Sequence, residues 1–532
     1  MKLTFLGAAH EVTGSRFLLE ACGKNIMIDY GMEQGADLYE NTPLPITEGS
    51  LDAVLLTHAH IDHSGYLPLL YKNGFRGHVY ATEPTTDLCK IMLLDSAHIQ
   101  ESDAEYKNRK NQRSGKPLVE PLYTQEHALG VHSQFMPCRY NDSVDIFDGI
   151  TIRMVDVGHL LGSAAIEVTV REGDTEKILV FSGDIGNIRQ PLLRDPIPMH
   201  RADYVIMEST YGDRKHNRPT DYVTALAQVL QRTFDRGGNV IIPSFAVGRT
   251  QEMLYFIRQI KAEGLLKGHE NFPVYVDSPL ANEATNIFIN NRESCYDEEA
   301  LSYVHQGINP LVFDGLIRAV SSDDSKAINS DSRPKVIISA SGMCEAGRIK
   351  HHLKHNLWGA QNTVLFVGYQ STNTLGRSLV EGAKTVKLFG ETINVSAEIL
   401  QLPGVSGHAD VDGLMNWAKA VSGVKKYFIN HGDAPSADSL ALRIHEELGA
   451  DTYAPYSGAE FDLISGEITV DAKAKPIVRK KTSGANLSPT FRDLVDAADR
   501  LSRLIKISDG RANADMRKLT EAINRLCDDW EI

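Results

Sequence analysis

Four side chains that commonly bind metal ions lie close together in the segment VLLTHAHIDHSGYLPLL, at positions 54–70. They are His58, His60, Asp62 and His63. The apolar residues before them predict a short buried strand, and the pattern after them predicts a helix that ends near Gly74. We therefore expect the four side chains in the loop between a strand and a helix. In α/β proteins such a loop lies at the carboxyl edge of the sheet, where ligands bind.

The spacing of this motif indicates two metal ions rather than one. His58 and His60 are separated by one residue, so both imidazoles can point to the same side and bind one ion. Asp62 and His63 are out of phase with that pair and can reach a second ion. A solvated polar loop would ordinarily use Ser, Asn or Gly, whereas imidazole and carboxylate groups are typical metal ligands.

Length, charge and cysteine content limit the class of protein. A chain of 532 residues has room for about two to four domains. Its 55 basic and 69 acidic residues give a net charge of −14, which argues against a general polyanion-binding surface but not against a local basic groove. The six cysteines form no C-x-x-C pair, so neither a disulfide framework nor a structural zinc site is expected. No secretion signal or membrane span is predicted, and a reducing cytoplasm is the expected compartment.

The pattern in which apolar runs alternate with helical segments divides the chain into four parts. Residues 1–208 alternate short β-rich runs with helical patterns, which predicts a layered domain of sheets and helices. Residues 209–390 contain helices that lead into segments such as GGNVIIPS, as expected for βαβ units around a parallel sheet. Residues 391–470 return to the pattern of residues 1–208, so we interpret residues 209–390 as an insertion. Residues 471–532 are predicted to contain a linker, near 473–487, and two short helices.

A polar segment, AHIQESDAEYKNRKNQRSGKPLVEPLYT, interrupts the first domain. It begins with the pattern of a polar helix, and residues near 107–119 are expected to form a basic loop. The sequence leaves open whether this segment is only a solvent-exposed surface segment or also has a function.

Three other loops that follow predicted strands supply further candidate metal ligands. They are His159 in MVDVGHLLGSA, Asp184 in ILVFSGDIGN and His431 in YFINHGD. Because a carboxylate has two oxygens, Asp184 can bridge two ions, which an imidazole cannot do. Each residue alone is a weak indication, since a histidine after a strand is more often structural, but together with the first motif the three form a consistent set.

These motifs resemble those of the metallo-β-lactamase-fold hydrolases and, within them, the β-CASP nucleases, which include the mRNA 3′-end-processing endonuclease and RNase J. DYG, THAHIDHSG, GHLLGSA and FSGDIG are similar to the first four motifs of that family, and MESTYGDR, VSGHAD and INHGD are similar to its motifs A, B and C. The resemblance covers about residues 1–460. It implies an αββα sandwich with an inserted β-CASP α/β domain. The resemblance does not cover the C-terminal helical extension, and we assign that extension no function.

The resemblance implies a zinc-dependent ribonuclease of RNA processing or decay that hydrolyses phosphodiester bonds with two Zn²⁺ ions per chain. The first zinc would be bound by His58, His60 and His159, and the second by Asp62, His63 and His431. Asp184 would bridge the two ions. Asp29 would orient the ligands through hydrogen bonds, with a turn-forming aspartate as the alternative.

Asp62, Glu208 and His408 are the residues expected to carry catalysis. His408 would protonate or stabilise the leaving oxygen, and Glu208 would hold its imidazole in the required tautomer. The alternative for Glu208 is a salt bridge at a strand end. The expected product carries a 5′-phosphate.

Loops of the inserted domain that combine hydroxyl groups, glycines and arginines are predicted to bind RNA phosphates. The predicted contacts are Ser244, Arg249, Ser341, Gly342, Arg348, Ser371, Thr374 and Arg377. The alternative for each arginine is a brace within the protein. The loops at 341–348 and 371–377 show no aromatic array for reading bases. His351 and His352 are expected on a helix and are not predicted to bind metal.

Single-stranded RNA is the expected partner, no membrane is expected, and a homodimer is left open. Three other functions are disfavoured by features of the sequence. A small-molecule hydrolase of the same fold is disfavoured by the large insertion and by motifs A and B. A DNA-directed β-CASP nuclease is disfavoured because such members usually lack a histidine at the position of His431. A non-enzymatic scaffold is disfavoured because every ligand position is filled. Endonuclease and 5′ exonuclease activity both remain open.

Overall fold

The first sheet places the strand before the histidine motif among parallel neighbours. The computed structural model describes residues 1–35, 38–216, 221–402, 406–477, 497, 500–501, 504–505 and 513–530. The sheet has eight strands: β1 Lys2–Phe5, β2 Phe17–Ala21, β3 Lys24–Ile28, β4 Ala53–Leu55, β5 His78–Thr82, β6 Phe135–Cys138, β22 Glu460–Asp462 and β23 Glu467–Val470. Their spatial order is β23-β22-β1-β2-β3-β4-β5-β6, and β3 to β6 are parallel.

The second sheet has seven strands: β7 Ser143–Phe147, β8 Ile150–Asp156, β9 Ala164–Glu172, β10 Thr175–Phe181, β11 Tyr204–Glu208, β20 Lys426–Asn430 and β21 Asp451–Tyr453. Their order is β21-β20-β11-β10-β9-β8-β7. The last four strands along the chain, β10, β11, β20 and β21, are parallel neighbours. Their carboxyl ends therefore meet at one edge of the sheet.

Alternating side chains bury both faces of each sheet. In β4, Ala53 and Leu55 pack into the core between the two sheets, whereas Val54 packs against helices on the outer side. Phe5 and Phe428, from opposite sheets, lie with ring centroids 5.1 Å apart in that central core. The outer helices are α1 Ile61–Ser64, α2 Leu67–Lys72, α3 Glu83–Ser114 and α4 Gln125–His132 on the first sheet, and α13 Val411–Ala420 and α14 Ala434–Leu448 on the second. The result is the expected αββα sandwich.

The inserted domain is built on a six-stranded parallel sheet, ordered β14-β13-β15-β12-β16-β19. Its strands are β12 Val240–Pro243, β13 Val274–Val276, β14 Leu316–Arg318, β15 Val336–Ser339, β16 Thr363–Phe366 and β19 Glu398–Gln401. Its helices are α5 Tyr222–Asp235, α6 Arg249–Ala262, α7 Pro279–Asn290, α8 Arg292–Cys295, α9 Glu298–His305, α10 Ser322–Ser330, α11 Ile349–Asn356 and α12 Leu375–Val380. β17 Thr385–Leu388 and β18 Glu391–Asn394 form a separate hairpin.

The chain returns to the first domain later than the sequence pattern indicated. Residues 391–470 were expected to belong to the returning segment, but Glu398 pairs with Thr363 in the inserted sheet. β19 is a short, half-exposed edge strand. Such a strand cannot be distinguished by its pattern from the strands of the first domain, so only its pairing partner reveals where it belongs.

Two helices also differ from the expectation. Asp62 and His63 lie on the one-turn helix α1 rather than in a loop, because four residues are too few to show a helical period. The polar segment is helical to Ser114, beyond the predicted start of the basic loop at residue 107. Five of the eight residues at 107–114 are Lys, Arg or Gln, which favour helix, and the helix ends only where Gly115 adopts a positive φ of 64°.

The C-terminal part contains the helix α15 Asn513–Trp530. The two predicted short helices were placed partly on Phe491 and Leu494, which lie outside the described residues, while positions 500–501 and 504–505 are helical. Residues Met1–Lys475 form one compact unit, and residues from Pro476 onward belong to a second. Within the described ranges, no helix is long and apolar enough to cross a membrane.

Candidate metal centre

The predicted ligands all follow strands whose ends meet above the sandwich. The loop after β4 carries the histidine motif, and the loop after β8 carries His159. Asp184 follows β10, and His431 follows β20 directly. Because β10, β11 and β20 are parallel neighbours, Asp184, Glu208 and His431 are delivered to the same edge.

The first cluster consists of His58, His60, His159 and Asp184. His60 Nδ1 lies 3.1 Å from His58 Nε2 and 3.2 Å from His159 Nε2. Asp184 Oδ2 lies 3.6 Å from the Nε2 atoms of both His58 and His159. One ligand atom from each residue therefore points to a common centre, with all such atoms within 4.8 Å of one another.

The second cluster consists of Asp62, His63 and His431. His431 Nε2 lies 3.0 Å from His63 Nε2 and 3.6 Å from Asp62 Oδ2. The other carboxylate oxygen of Asp184, Oδ1, lies 3.3 Å from His63 Nε2. Asp184 thus presents one oxygen to each cluster.

The donor set fits metal ions. Asp184 Oδ1 is buried, and although ring nitrogens of His63 and His431 lie 3.3 and 3.4 Å away, neither is aligned to form a hydrogen bond with it. A buried carboxylate oxygen without a partner is costly, and a cation between Asp184 and the histidines would remove that cost. Imidazole and carboxylate ligands of this kind suit zinc.

Burial and neighbouring charges keep most of these groups in the protonation state that metal binding requires. Burial, with a smaller contribution from neighbouring His63, holds the pKa of His58 well below its ordinary value, so its imidazole is neutral. Burial acts to raise the pKa of Asp62, but its hydrogen bond to His431 and the charge of His63 outweigh burial and lower that pKa to about 2. Deprotonated ligands are the form that binds metal.

Asp29, together with Thr57, contacts histidines of both clusters. Its carboxylate lies 2.7 Å from His63 Nδ1 and accepts hydrogen bonds from the backbone N–H and hydroxyl of Thr57, at 2.8 and 3.0 Å. The Thr57 hydroxyl also lies 3.1 Å from His58 Nδ1, so one side chain links both clusters. Thr57 was not singled out from the sequence, although it directly precedes the histidine motif. Gly31 permits this packing, because a Cβ there would lie 1.6 Å from the carbonyl oxygen of Asp62.

Glu208 and His408 form a pair beside the first cluster. His408 Nδ1 lies 3.3 Å from Glu208 Oε1 and 3.9 Å from Asp184 Oδ2. The buried Glu208 carboxylate accepts hydrogen bonds from the backbone N–H groups of Ile185 and Thr210, at 2.5 and 3.3 Å. Burial acts to lower the pKa of His408, but the charges of Glu208 and Asp184 outweigh it and raise that pKa to about 9. The His408 side chain is 23% exposed, so it can meet a substrate.

The residues predicted to bind RNA cluster at the carboxyl ends of β12, β15 and β16, with each arginine held by an acidic neighbour. Arg249 pairs with Glu252, Arg348 lies 2.7 Å from the buried Asp277, and Arg377 lies 2.6 Å from Glu381. The Arg348 contact favours a bracing role for that residue. Ser244 is buried, and its hydroxyl lies 3.1 Å from that of Thr250. RNA contact by these residues stays a prediction.

His352 makes a contact that was not foreseen from the sequence. Its Nε2 lies 2.6 Å from Asp277 Oδ2, and both side chains are fully buried. The same carboxylate also accepts a hydrogen bond from the Ser325 hydroxyl at 2.6 Å. This network lies at the carboxyl end of β13 and joins that strand to α11. Sequence spacing could not reveal it, because Asp277 and His352 come from different βαβ units.

Three domain families match successive parts of the chain. The Metallo-beta-lactamase superfamily domain matches residues 18–193, the Beta-Casp domain matches residues 250–379, and the Zn-dependent metallo-hydrolase RNA specificity domain matches residues 392–455. With the αββα sandwich and the paired clusters, these matches define a metal-dependent hydrolase of the metallo-β-lactamase fold.

Similar proteins identify the family. Ribonuclease TTHA0252 of Thermus thermophilus is 36% identical over 436 residues, which cover 81% of this chain and 93% of the relative. Transcription termination factor FttA of Methanosarcina mazei is 31% identical over 470 residues, which cover 85% of this chain and 70% of that protein. FttA of Pyrococcus abyssi is 30% identical over 86% of this chain and 70% of its own length. The chain belongs to the β-CASP family of metallo-β-lactamase-fold nucleases.

We predict that Asp29→Ala weakens zinc binding by about 10- to 100-fold, the usual cost of removing a group that orients metal ligands. The loss should fall on the second cluster, because Asp29 contacts His63 directly. Competition with a chromophoric chelator measures the affinity. Asp145→Ala, an exposed aspartate on β7, is the matched control. If the Asp29 variant binds zinc as tightly as the unmodified protein, Asp29 has only a turn-forming role.

Proposed function

We propose that this protein is a ribonuclease that hydrolyses single-stranded RNA and holds two zinc ions. The observation that carries the proposal is the Asp184 carboxylate, which presents one oxygen to each histidine cluster. Its relatives are named a ribonuclease and a transcription termination factor, and one matching domain is described as an RNA specificity domain. Relatives and site geometry therefore favour the same chemistry.

In this proposal the two clusters divide the ligands as the resemblance implied. His58, His60 and His159 would hold one zinc, and Asp62, His63 and His431 would hold the other. Asp184 would offer one carboxylate oxygen to each. When bound, zinc supplies Lewis acidity, a lowered pKa for water and neutralisation of phosphate charge. Asp29 and Thr57 keep the histidine rings oriented toward the ions.

His408 is proposed as the general acid. Its Nδ1 faces Glu208, which leaves Nε2 to deliver a proton to the leaving 3′ oxygen. Because its pKa is raised to about 9, the imidazole carries that proton at neutral pH. Glu208 cannot turn away, since two backbone N–H groups hold its carboxylate. Cleavage in this way gives a 5′-phosphate product.

We also propose a role for each domain and a compartment for the enzyme. The sandwich, formed by residues 1–208 and the segment that returns after β19, carries the metal centre. The inserted domain covers it and admits a flexible single strand. Cys22, Cys89, Cys138, Cys295 and Cys344 are free thiols, which supports a reducing compartment such as the cytoplasm. The question of a homodimer stays open, as in the sequence.

Metal analysis tests the dinuclear centre. Protein purified without chelator should contain close to two equivalents of zinc, because seven ligands are too many for one tetrahedral site. His431→Ala should retain about one equivalent, since the first cluster does not include His431. An active sample that reproducibly contains less than one equivalent would contradict the two-zinc proposal.

The catalytic pair is tested by His408→Ala. This change should lower kcat by about 10²- to 10⁴-fold, the usual contribution of a general acid, and leave the zinc content unchanged. His445→Ala removes an exposed histidine on α14 and serves as the control. Loss of one zinc equivalent in the His408 variant would show that His408 is a metal ligand instead.

Substrate choice is tested with matched single-stranded RNA and DNA oligomers. RNA should be cleaved much faster. The assay holds zinc and salt constant, because phosphate binding depends strongly on ionic strength. Equal or faster turnover of DNA would replace the ribonuclease assignment with a DNA nuclease and leave the metal-dependent hydrolase assignment intact.

A further inference from the structure

Two exposed aromatic rings lie at the carboxyl edge of the inserted sheet. β12 is a central strand between β15 and β16. Phe245 follows β12 and is 48% exposed, and Tyr369 follows β16 and is 59% exposed. Large apolar side chains are ordinarily withdrawn from water, and this edge of a parallel sheet is where ligands bind.

The backbone around Phe245 is shaped to accommodate its ring. A Cβ on Gly342, after β15, would lie 3.3 Å from Phe245 Cδ2. A Cβ on Gly368, after β16, would lie 4.0 Å from Phe245 Cε2. The ring therefore lies over glycines of both neighbouring strands, and Tyr369 directly follows the second glycine.

The same loop reaches the metal centre. Three residues after Phe245, a Cβ on Gly248 would lie 3.2 Å from Leu160 Cδ1. Leu160 is buried and directly follows His159 of the first metal cluster. The two rings therefore lie on the side of the inserted domain that meets the catalytic domain, beside the hydroxyl-bearing loops at 341–348 and 371–377.

We propose that Phe245 and Tyr369 form a base-stacking platform that holds nucleotides of single-stranded RNA next to the metal centre, an inference that rests on the proposed ribonuclease function. Every base has an aromatic face, so stacking adds affinity with little dependence on sequence. Hydroxyl and backbone N–H groups of the adjacent loops can contact the phosphates of the same nucleotides.

The proposed platform lies beside the loops at 341–348 and 371–377, in which no aromatic array is expected. The two rings are far apart in the sequence and come together only because their strands are neighbours of one parallel sheet. A docking site for another protein would need a broader apolar patch, whereas here glycine and hydroxyl residues surround the two rings.

The test uses Phe245→Leu and Tyr369→Leu, which keep an apolar side chain but remove the aromatic face. Each holoenzyme variant is assayed on a short single-stranded RNA and on versions with one abasic nucleotide at successive positions. Each change should raise KM for the intact RNA by about five- to one-hundred-fold. The increase should disappear with the abasic RNA that lacks the stacked base. kcat should change much less than KM.

The control variant is Trp358→Leu. Trp358 is 62% exposed but precedes β16, at the opposite edge of the same sheet, so its replacement should leave KM unchanged. Thermal melting verifies that each variant is folded. Should Phe245→Leu fail to fold, Tyr369→Leu carries the test, since that ring is largely outside the core.

Two results would overturn the platform: no rise in KM in either variant, or an equal rise on the intact and on every abasic RNA. Failure of the ribonuclease proposal looks different. In that case the unmodified protein hydrolyses bis(p-nitrophenyl) phosphate but cleaves no RNA. The two ideas can therefore fail separately.

Discussion

The Asp184 carboxylate is the contact on which the rest of the site depends. One oxygen faces His58 and His159, and the other faces His63. Because Asp184 Oδ1 is buried without a hydrogen-bond partner, the clustered histidines and the carboxylate are costly to hold together unless a cation joins them. In the sandwich, parallel strands end at a common edge. Rigid backbone therefore holds the candidate metal ligands close together there.

Further contacts hold the candidate metal ligands and the proposed catalytic pair in place. Asp29 and Thr57 hold the rings of both clusters, and backbone N–H groups hold Glu208 against His408. The metal centre alone does not choose a substrate, because the fold supports many chemistries. In our proposal, selection falls to the inserted domain, whose β12 loop contacts Leu160 beside the first cluster. Catalysis and RNA recognition would then meet next to that contact.

Much of the fold and the candidate site could be predicted from the sequence, partly from local patterns and partly from motifs that resemble those of the β-CASP nucleases. The strand before His58 is short and apolar, and the ligand types and spacing are uncommon in ordinary loops. Other features needed the pairing of distant segments. Edge strand β19 has a pattern that fits either domain, and only its pairing with β16 assigns it to the inserted sheet. The one-turn helix that carries Asp62 is too short to show a period.

By itself, the sequence determined the chemical identity of the ligands, their order along the chain and the alternation of strands and helices, since these are properties of local spacing. The tertiary structure decided how Asp184 divides its oxygens between two clusters, and that Arg348 is held by Asp277. It also decided that Phe245 and Tyr369 share one exposed edge. These features depend on distances between residues far apart in the chain, and such distances are set only when parallel strands become neighbours.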